Sequence, residues 1–314
     1  MLRMTTNCAD IRSLLLILAL SLSGCGAGGQ AVSSGPIPVP APAPDIEPPP
    51  SNALAKPQEF ATFSIAATEE RSAGGAEIVA SRLGPSDLRF RYLGEGQGYQ
   101  VEFPGMPAGS LKFTNPTNGS SRYTVSDASG QSLDTAVFLN SQSGETHYRY
   151  TDLAFWVSGA SDPEQRKTTT GFFVYGTPSS AADIPRSGAG RYEAEVFGKS
   201  SFQSDIGGSA YLDFDFTTGK LAGHMDPVLL NKTGFGYDEK LERYVFADTI
   251  FGMGSARFSG RFAVPGSSGT SSFEGLFTGP DAEELMAQWQ APFRIPGTDT
   301  WNTMYGVWIG KKTE

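Results

Sequence analysis

The stretch Ser255-Ala256-Arg257-Phe258-Ser259-Gly260-Arg261-Phe262-Ala263-Val264 decides the fold of this 314-residue chain. Small or apolar side chains occupy every second position from Ala256 to Val264, and most of the positions between them are polar. This period of two is typical of an extended strand with one buried face. Residues 208–216 repeat the pattern. Strands that expose one face to solvent are usual in antiparallel sheets.

The second half of the chain contains eight segments of this kind. Strands are predicted near 190–197, 208–216, 220–227, 243–251, 254–264, 271–279, 285–293 and 303–311. The segments between them are mostly short and rich in turn residues, which favours antiparallel neighbours. Eight such strands close into a barrel that side chains just fill, whereas a β-sandwich is the rival architecture. Small inward residues such as Ala256 and Gly260 favour the barrel, to which we assign residues 188–314.

Two further regions complete the predicted all-β folded part. Residues 280–286 begin with proline and carry acids early, which predicts one helical turn that caps an end of the barrel. Residues 58–187 are less regular and contain longer loops. We interpret them as a smaller, open β subdomain packed on the barrel. Its strand candidates are 88–93, 99–103, 122–125, 148–157 and 170–175.

The first 57 residues carry export and anchoring signals. The apolar run Leu14–Leu20 is long enough for a signal-peptide core and too short for a membrane span. It is followed by Leu22-Ser23-Gly24-Cys25, which resembles a bacterial lipobox. The resemblance implies that residues 1–24 are removed and that the thiol of Cys25 is acylated; an ordinary secretory peptide with a chance cysteine is the alternative. Gly26, in place of Asp, implies sorting to the outer membrane.

Residues 25–57 are predicted to form a disordered tether. Eight prolines lie between Pro36 and Pro50, and proline both removes a hydrogen-bond donor and fixes φ. At about 3.1 Å per residue, an extended tether of about thirty residues reaches roughly 90 Å. The tether therefore holds the folded part away from the membrane.

Several later segments resemble the transferrin-binding protein B family of surface lipoproteins. They are Tyr175–Pro178 with Ile184–Gly188 and Arg191–Ala194, Asp213–Phe216 with Lys220–Gly223, Phe273–Glu284, and Met304–Lys312. The resemblance covers roughly 85–314 and implies one lobe made of a handle sheet and a barrel. The stretch Leu285-Met286-Ala287 departs from the family, which has Gly shortly after the signature Glu. The family's ligand contacts lie in variable loops, and none of them is matched here.

Composition and motifs exclude several functions. A net charge of −9 argues against nucleic-acid binding, and both cysteines, Cys8 and Cys25, precede the folded part. Nucleotide, serine-hydrolase, zinc-protease and redox motifs are absent from the sequence. The chain is predicted to be no enzyme and to hold no metal or cofactor. His224 with Asp226 is interpreted as part of a polar strand face and not as a metal-ligand pair, and His147 as an exposed strand residue and not as a haem contact. The acids are interpreted as helix N-terminal charges and not as the paired acids of a hydrolase; they are Glu274, Asp281, Glu283 and Glu284.

Aromatic residues in two loops are the best candidates for recognition. Phe235 and Tyr237 lie in an unusually apolar loop between two predicted strands, and Trp301 lies in a second loop. Aromatic side chains on loops dominate many binding hot spots. The alternative is that these side chains fold back and plug the mouth of the barrel.

The predicted function is that of an outer-membrane-anchored lipoprotein that binds a protein ligand at the cell surface. The resemblance implies capture of an iron or haem carrier and its delivery to an outer-membrane transporter. A structural or accessory envelope lipoprotein with protein partners only is the alternative. A lipocalin-like barrel that holds a small apolar molecule inside is a third hypothesis, and the many Phe residues favour a filled interior over it.

Overall fold

The computed structural model describes residues 56–71, 78–103, 111–113, 120–126, 132–140, 148–160, 167–201, 204–230, 238–294 and 297–313. The predicted signal peptide, Cys25 and nearly all of the predicted tether lie outside these ranges. Within them, strands dominate and a single short 3-10 turn is present, so the all-β prediction is confirmed. None of the described segments forms a helix with the length and apolar character that a membrane span requires.

Among the described residues, ten strands precede the barrel and form the handle. They are β1 (Gln58–Glu59), β2 (Ala61–Arg71), β3 (Ile78–Pro85), β4 (Arg89–Tyr92), β5 (Tyr99–Glu102), β6 (Leu111–Phe113), β7 (Ser120–Ser126), β8 (Ser132–Asn140), β9 (Thr151–Ala160) and β10 (Lys167–Gly176). They make a four-stranded sheet in the order β1-β4-β5-β6 and a six-stranded sheet in the order β3-β2-β10-β9-β8-β7. Both sheets are open, as predicted.

The two handle sheets enclose an aromatic core between them. Phe90 and Tyr99 of the small sheet pack against Phe173, Tyr175 and Trp156 of the large sheet. The Phe90 ring centroid lies 4.2 Å from that of Tyr175 and 5.8 Å from that of Phe173. Aromatic contacts of this kind add to the stabilisation that area burial alone supplies.

The opposite face of the large sheet packs on the outside of the barrel. Phe63, Leu153 and Val174 of the handle are buried there with Met286 and Val307 of the barrel wall. The middle strands β2, β9 and β10 are therefore buried on both faces. Five handle strands, β1, β2, β3, β6 and β8, are missing from the sequence prediction; in the case of β2, burial on both faces replaces the alternation on which that prediction depends.

The barrel consists of eight long strands and one short addition. Its elements are β11 (Ala189–Ser200), β12 (Asp205–Asp215), β13 (Lys220–Leu230), β14 (Glu239–Lys240), β15 (Tyr244–Phe251), β16 (Arg257–Ala263), β17 (Ser272–Thr278), β18 (Glu284–Arg294) and β19 (Trp301–Lys312). The antiparallel order is β12-β11-β19-β18-β17-β16-β15-β13, and β13 pairs with β12 to close the ring. The eight-stranded barrel is confirmed and the sandwich is not formed.

The barrel strands lie where the sequence predicts them, except that one strand begins later and another contains a bulge. The prediction began a strand at residue 254, but β16 begins at Arg257 because the amide of Ser255 closes a turn onto the carbonyl of Gly252. In β15 the register slips between Ala247 and Ile250, where two residues oppose one on β16. Such a bulge re-aims the side chains on either side of it.

The predicted helical turn is a 3-10 turn at Pro280–Ala282. Ala282 is buried with the barrel interior, and its carbonyl accepts a hydrogen bond of 2.5 Å from the Tyr192 hydroxyl. One expectation about this segment is wrong. Glu274 and Glu284 are not helix-terminal charges: Glu274 lies within β17, and Glu284 is the first residue of β18 and is 1% exposed.

Candidate functional site

The interior of the barrel is occupied by its own side chains. Trp308 lies 5.4 Å from Phe273 and 5.7 Å from Phe246, ring centroid to centroid, at the middle of the barrel. Towards the end capped by the 3-10 turn, Phe214 lies 4.8 Å from Phe277. These residues belong to one continuous buried cluster, which is the packing expected of a narrow eight-stranded barrel. The lipocalin-like hypothesis is therefore disfavoured, and recognition is expected on the outside.

The outside of the barrel carries a cleft of about 620 Å3 at its border with the handle, which we call the outer cleft. Ile65 and Pro85 of the handle form one wall. The barrel contributes Asp248, Ile250, Ser259, Gly260, Arg261, Ser272, Phe273, Glu274, Gln288, Trp289, Gln290 and Tyr305. The cleft lies within the size range of small-ligand sites, about 300–1,000 Å3.

A polar ladder forms the floor of the outer cleft. Glu274 lies opposite Gln288 on neighbouring strands, and the Gln288 amide donates a hydrogen bond to the Glu274 carboxylate. Two residues further along the same pair of strands, Ser272 lies opposite Gln290, and the Gln290 amide donates a hydrogen bond of 3.1 Å to the serine hydroxyl. These cross-strand bonds hold the amide groups of both glutamines in fixed positions.

The bulge in β15 shapes another side of the outer cleft. Asp248 has φ of +46°, a left-handed conformation that is uncommon outside glycine. Ile250, the next outward residue, is 71% exposed although it is a large apolar side chain. Val245 and Met253, at either end of the same segment, are 51% and 67% exposed. The segment 245–253 thus presents unusual apolar exposure beside a strained backbone position, and such features are over-represented at binding sites.

A smaller cavity of about 420 Å3 lies where β9 and β10 of the handle meet β11 and β12 of the barrel. Beside it, Lys199 and Asp205 form an ion pair of 2.7 Å, and each side chain is about one tenth exposed. The Lys199 ammonium also lies 5.9 Å from the ring centroids of both Phe155 and Phe172. Burial lowers the pKa of Lys199. Because the charge is already paired and covered by two rings, the group serves the contact between handle and barrel.

Glu284 is the residue that ties the handle to the barrel. Its carboxylate accepts hydrogen bonds from the backbone amides of Arg149 (2.6 Å), Tyr150 (3.0 Å) and Thr151 (2.9 Å) at the start of β9. Burial raises the pKa of Glu284, and the three amides oppose that rise. Thr278 adds a hydroxyl contact of 2.5 Å to Thr151. The sequence singled out this glutamate within a motif but gave no sign of its role, since its partners are more than 130 residues away in the chain.

The structure describes only part of the candidate loops. Phe235 and Tyr237 lie outside the described residues, as does His147. Trp301 was expected in a loop but is the first residue of β19, opposite Arg294 of β18. The Arg294 guanidinium lies 5.2 Å from the centroid of the Trp301 ring, which is the geometry of a cation–π contact.

The remaining polar candidates lie on the strand surface. His224 stacks on Tyr211 at 5.0 Å, and Asp226 forms a two-pronged contact of 2.7 and 2.8 Å with Arg243, which lowers the pKa of Asp226. Across the described ranges, no three His, Cys, Asp or Glu residues come together in a way that could hold a metal ion.

No protein-family model matches the chain, and no curated protein matches it. Among solved structures, intact Ap-TbpB (N and C lobes) matches with a TM-score of 0.39 and 14% identity, over 79% of this chain and 46% of that chain. A double mutant of Transferrin Binding Protein B, a vaccine antigen of Haemophilus parasuis Hp5, matches with a TM-score of 0.40 and 12% identity, over 80% of this chain and 45% of that chain. Kievitone hydratase from Nectria haematococca matches with a TM-score of 0.26 and 10% identity, over 83% of this chain and 90% of that chain. The chain thus spans a little under half the length of the two transferrin-binding structures.

Proposed function

We propose that this protein is a lipid-anchored outer-membrane lipoprotein that captures a protein ligand on the outer surface of its folded lobe. The observation that carries the proposal is the filled barrel: buried side chains, Tyr192 and Trp308 among them, occupy the interior, which leaves the exterior as the surface available to a ligand. The exposed apolar residues Val245 and Met253, which lie outside the outer cleft, supply surface that a protein partner would cover.

The partner we propose is a carrier of iron or haem, with an outer-membrane transporter as the recipient. Support comes from the sequence segments that resemble the transferrin-binding protein B family, together with the predicted anchor and tether. In this scheme Cys25 carries the acyl chains, the proline-rich segment gives reach, and the lobe makes the contact. Two or more acyl chains anchor a protein stably where a single chain does not.

Anchoring is tested by comparing the two cysteines of the chain. We expect cells grown with labelled palmitate to incorporate label into the wild-type protein and into Cys8→Ser, which is the matched control. Cys25→Ser should carry no label and should leave the membrane fraction. Label on Cys25→Ser would overturn the proposed anchor.

Capture is tested on the candidate loop. Cells that display the full-length protein are incubated with fluorescent transferrin and, separately, with fluorescent haemoglobin, and bound label is measured by flow cytometry. We expect Phe235→Ala combined with Tyr237→Ala to abolish binding while the melting temperature of the protein is unchanged. A large fall in melting temperature would instead assign these rings to a plug of the barrel, and wild-type cells that bind neither carrier would overturn the proposed partner class.

A further inference from the structure

We infer that the outer cleft binds a neutral oligosaccharide. This inference goes beyond the proposed function, because it concerns a site apart from the candidate loop and does not depend on membrane anchoring or on a protein partner. It starts from the set of polar groups that converge on the cleft, and from the fixed positions in which the strands hold them.

The outer cleft offers hydrogen-bonding groups in fixed positions. The amide nitrogens of Gln288 and Gln290 are engaged by Glu274 and Ser272, which leaves both amide oxygens available as acceptors in the cleft. Tyr305, which also lines the cleft, and Ser259 add hydroxyls that both donate and accept. A sugar presents closely spaced hydroxyls that likewise donate and accept, so it matches a mixed and preorganised set better than an apolar ligand does.

The charged residues that line the outer cleft favour a neutral ligand. Asp248 and Glu274 contribute two carboxylates to the lining, and Arg261 contributes one cation. Within the described part of the chain, neither Asp248 nor Arg261 takes part in an ion pair or side-chain hydrogen bond. The excess of acid disfavours sulfated and phosphorylated ligands, whereas a carboxylate and a guanidinium fork are each able to bond two neighbouring hydroxyls of a neutral sugar.

An extended peptide is the alternative ligand for the outer cleft. Peptides that add to a sheet need a strand edge with free amides and carbonyls. Of the strands that build the floor of the cleft, β16, β17, β18 and β19 are paired on both sides within the closed barrel, and β15 is paired with β16 and, at Tyr244 and Val245, with β13. The wall strand β3 is a sheet edge, but it reaches the cleft at Pro85, which has no amide to donate. The floor therefore recognises a ligand through side chains. Pro85 and Ile250 line the cleft as well and are exposed, so they supply an apolar surface for the carbon–hydrogen face of a sugar ring.

The test uses the full-length protein on an array of neutral, sialylated and sulfated oligosaccharides, followed by titration calorimetry of the strongest binder. We expect a neutral oligosaccharide to bind. We expect Gln288→Ala combined with Gln290→Ala to weaken that binding about tenfold, because two hydrogen bonds to the ligand are lost. Arg261→Gln, at an exposed position that leaves folding intact, should also weaken it.

Arg257→Ala is the matched control, because Arg257 is exposed on the same strand as Arg261 but does not line the cleft. Its affinity should equal that of the wild type. The inference is overturned if no neutral oligosaccharide binds, if sulfated ligands bind in preference, or if Arg261→Gln binds as tightly as Arg257→Ala. Binding of an extended peptide in place of any sugar would overturn it as well.

Discussion

The barrel and the handle are both built from antiparallel strands, but they bury their residues differently. Each barrel strand has one face in a closed interior, and most have the other in solvent, whereas the large sheet of the handle lies between the small sheet and the barrel wall. The barrel completes its own hydrogen bonding by pairing β12 with β13. The handle depends on the barrel to cover one of its faces. The barrel therefore closes its own interior and its own ring of strands, although the handle covers Met286 and Val307 on its outer wall, whereas the large handle sheet needs the barrel as one of its two walls.

The largest effect is expected from removing a central ring in each region. Phe214 contacts Phe251, Phe258 and Phe277 in the barrel, and Phe90 occupies the equivalent central place in the handle core. Either ring replaced by Ala should lower the free energy of unfolding by about 3–5 kcal/mol, the usual effect of such a cavity. Hydrogen exchange should distinguish the two variants.

With Phe90→Ala we expect faster amide exchange in β4 and β5 and unchanged protection in the barrel strands. With Phe214→Ala we expect faster exchange in both regions, because the large handle sheet loses the wall on which it packs. If Phe90→Ala accelerated amide exchange in the barrel as much as Phe214→Ala accelerates it in the handle, the dependence of the handle on the barrel would be contradicted.

The second-largest loss of stability is expected at Glu284, whose carboxylate joins the barrel to the handle through hydrogen bonds. Glu284→Ala leaves three backbone amides of residues 149–151 without their acceptor, and we expect a loss of about 2–4 kcal/mol with local exposure of β9. The matched control is Glu283→Ala, which removes an exposed neighbouring carboxylate and should change stability by less than about 0.5 kcal/mol. Urea denaturation measures both, and equal stability of the two variants would refute the proposed role of Glu284.

The smallest effect is a pH dependence inside the handle. Burial raises the pKa of Asp152 to about 6, although its carboxylate accepts hydrogen bonds from the Tyr175 hydroxyl (2.9 Å) and the Leu153 amide (2.8 Å). Because the folded-state pKa lies above the unfolded value of about 3.9, the stability this group contributes is complete below pH 3.9 and is lost as pH rises through about 6.

Asp152→Asn keeps an acceptor and carries no charge. We therefore expect the variant to be more stable than the wild type by about 1–3 kcal/mol at pH 7, and to differ little at pH 4. Urea denaturation at the two pH values checks this. The same stability difference at both values would mean that ionisation of Asp152 is not its cause.

The difference in burial between the barrel strands and the large handle sheet explains which strands the sequence predicts. Strands such as β12 and β16 could be located because alternate residues face a closed interior, and that alternation is visible in the sequence. The β2 segment could not, because Phe63 and Ile65 face the barrel while Ser64 is also buried, so the pattern has no polar face. The role of Glu284 depends on partners that the chain brings together only by folding.

The candidate site was harder to predict than the fold. The sequence drew attention to aromatic loop residues, whereas the outer cleft is lined mainly by the polar faces of ordinary strands. Gln288 and Gln290 look like any solvent-facing residues of an alternating strand. Their significance comes from the register of β17 and β18, which sets them opposite Glu274 and Ser272 beside the handle.

The most direct test of the proposed capture function is the orientation of the lobe. Intact cells are treated with a protease that does not enter them, the folded part is followed by immunoblot, and lysed cells serve as the control. We expect cleavage on intact cells, which would place the lobe on the outer surface where an external ligand is available. Protection on intact cells with cleavage only after lysis would place it in the periplasm and would contradict capture at the cell surface.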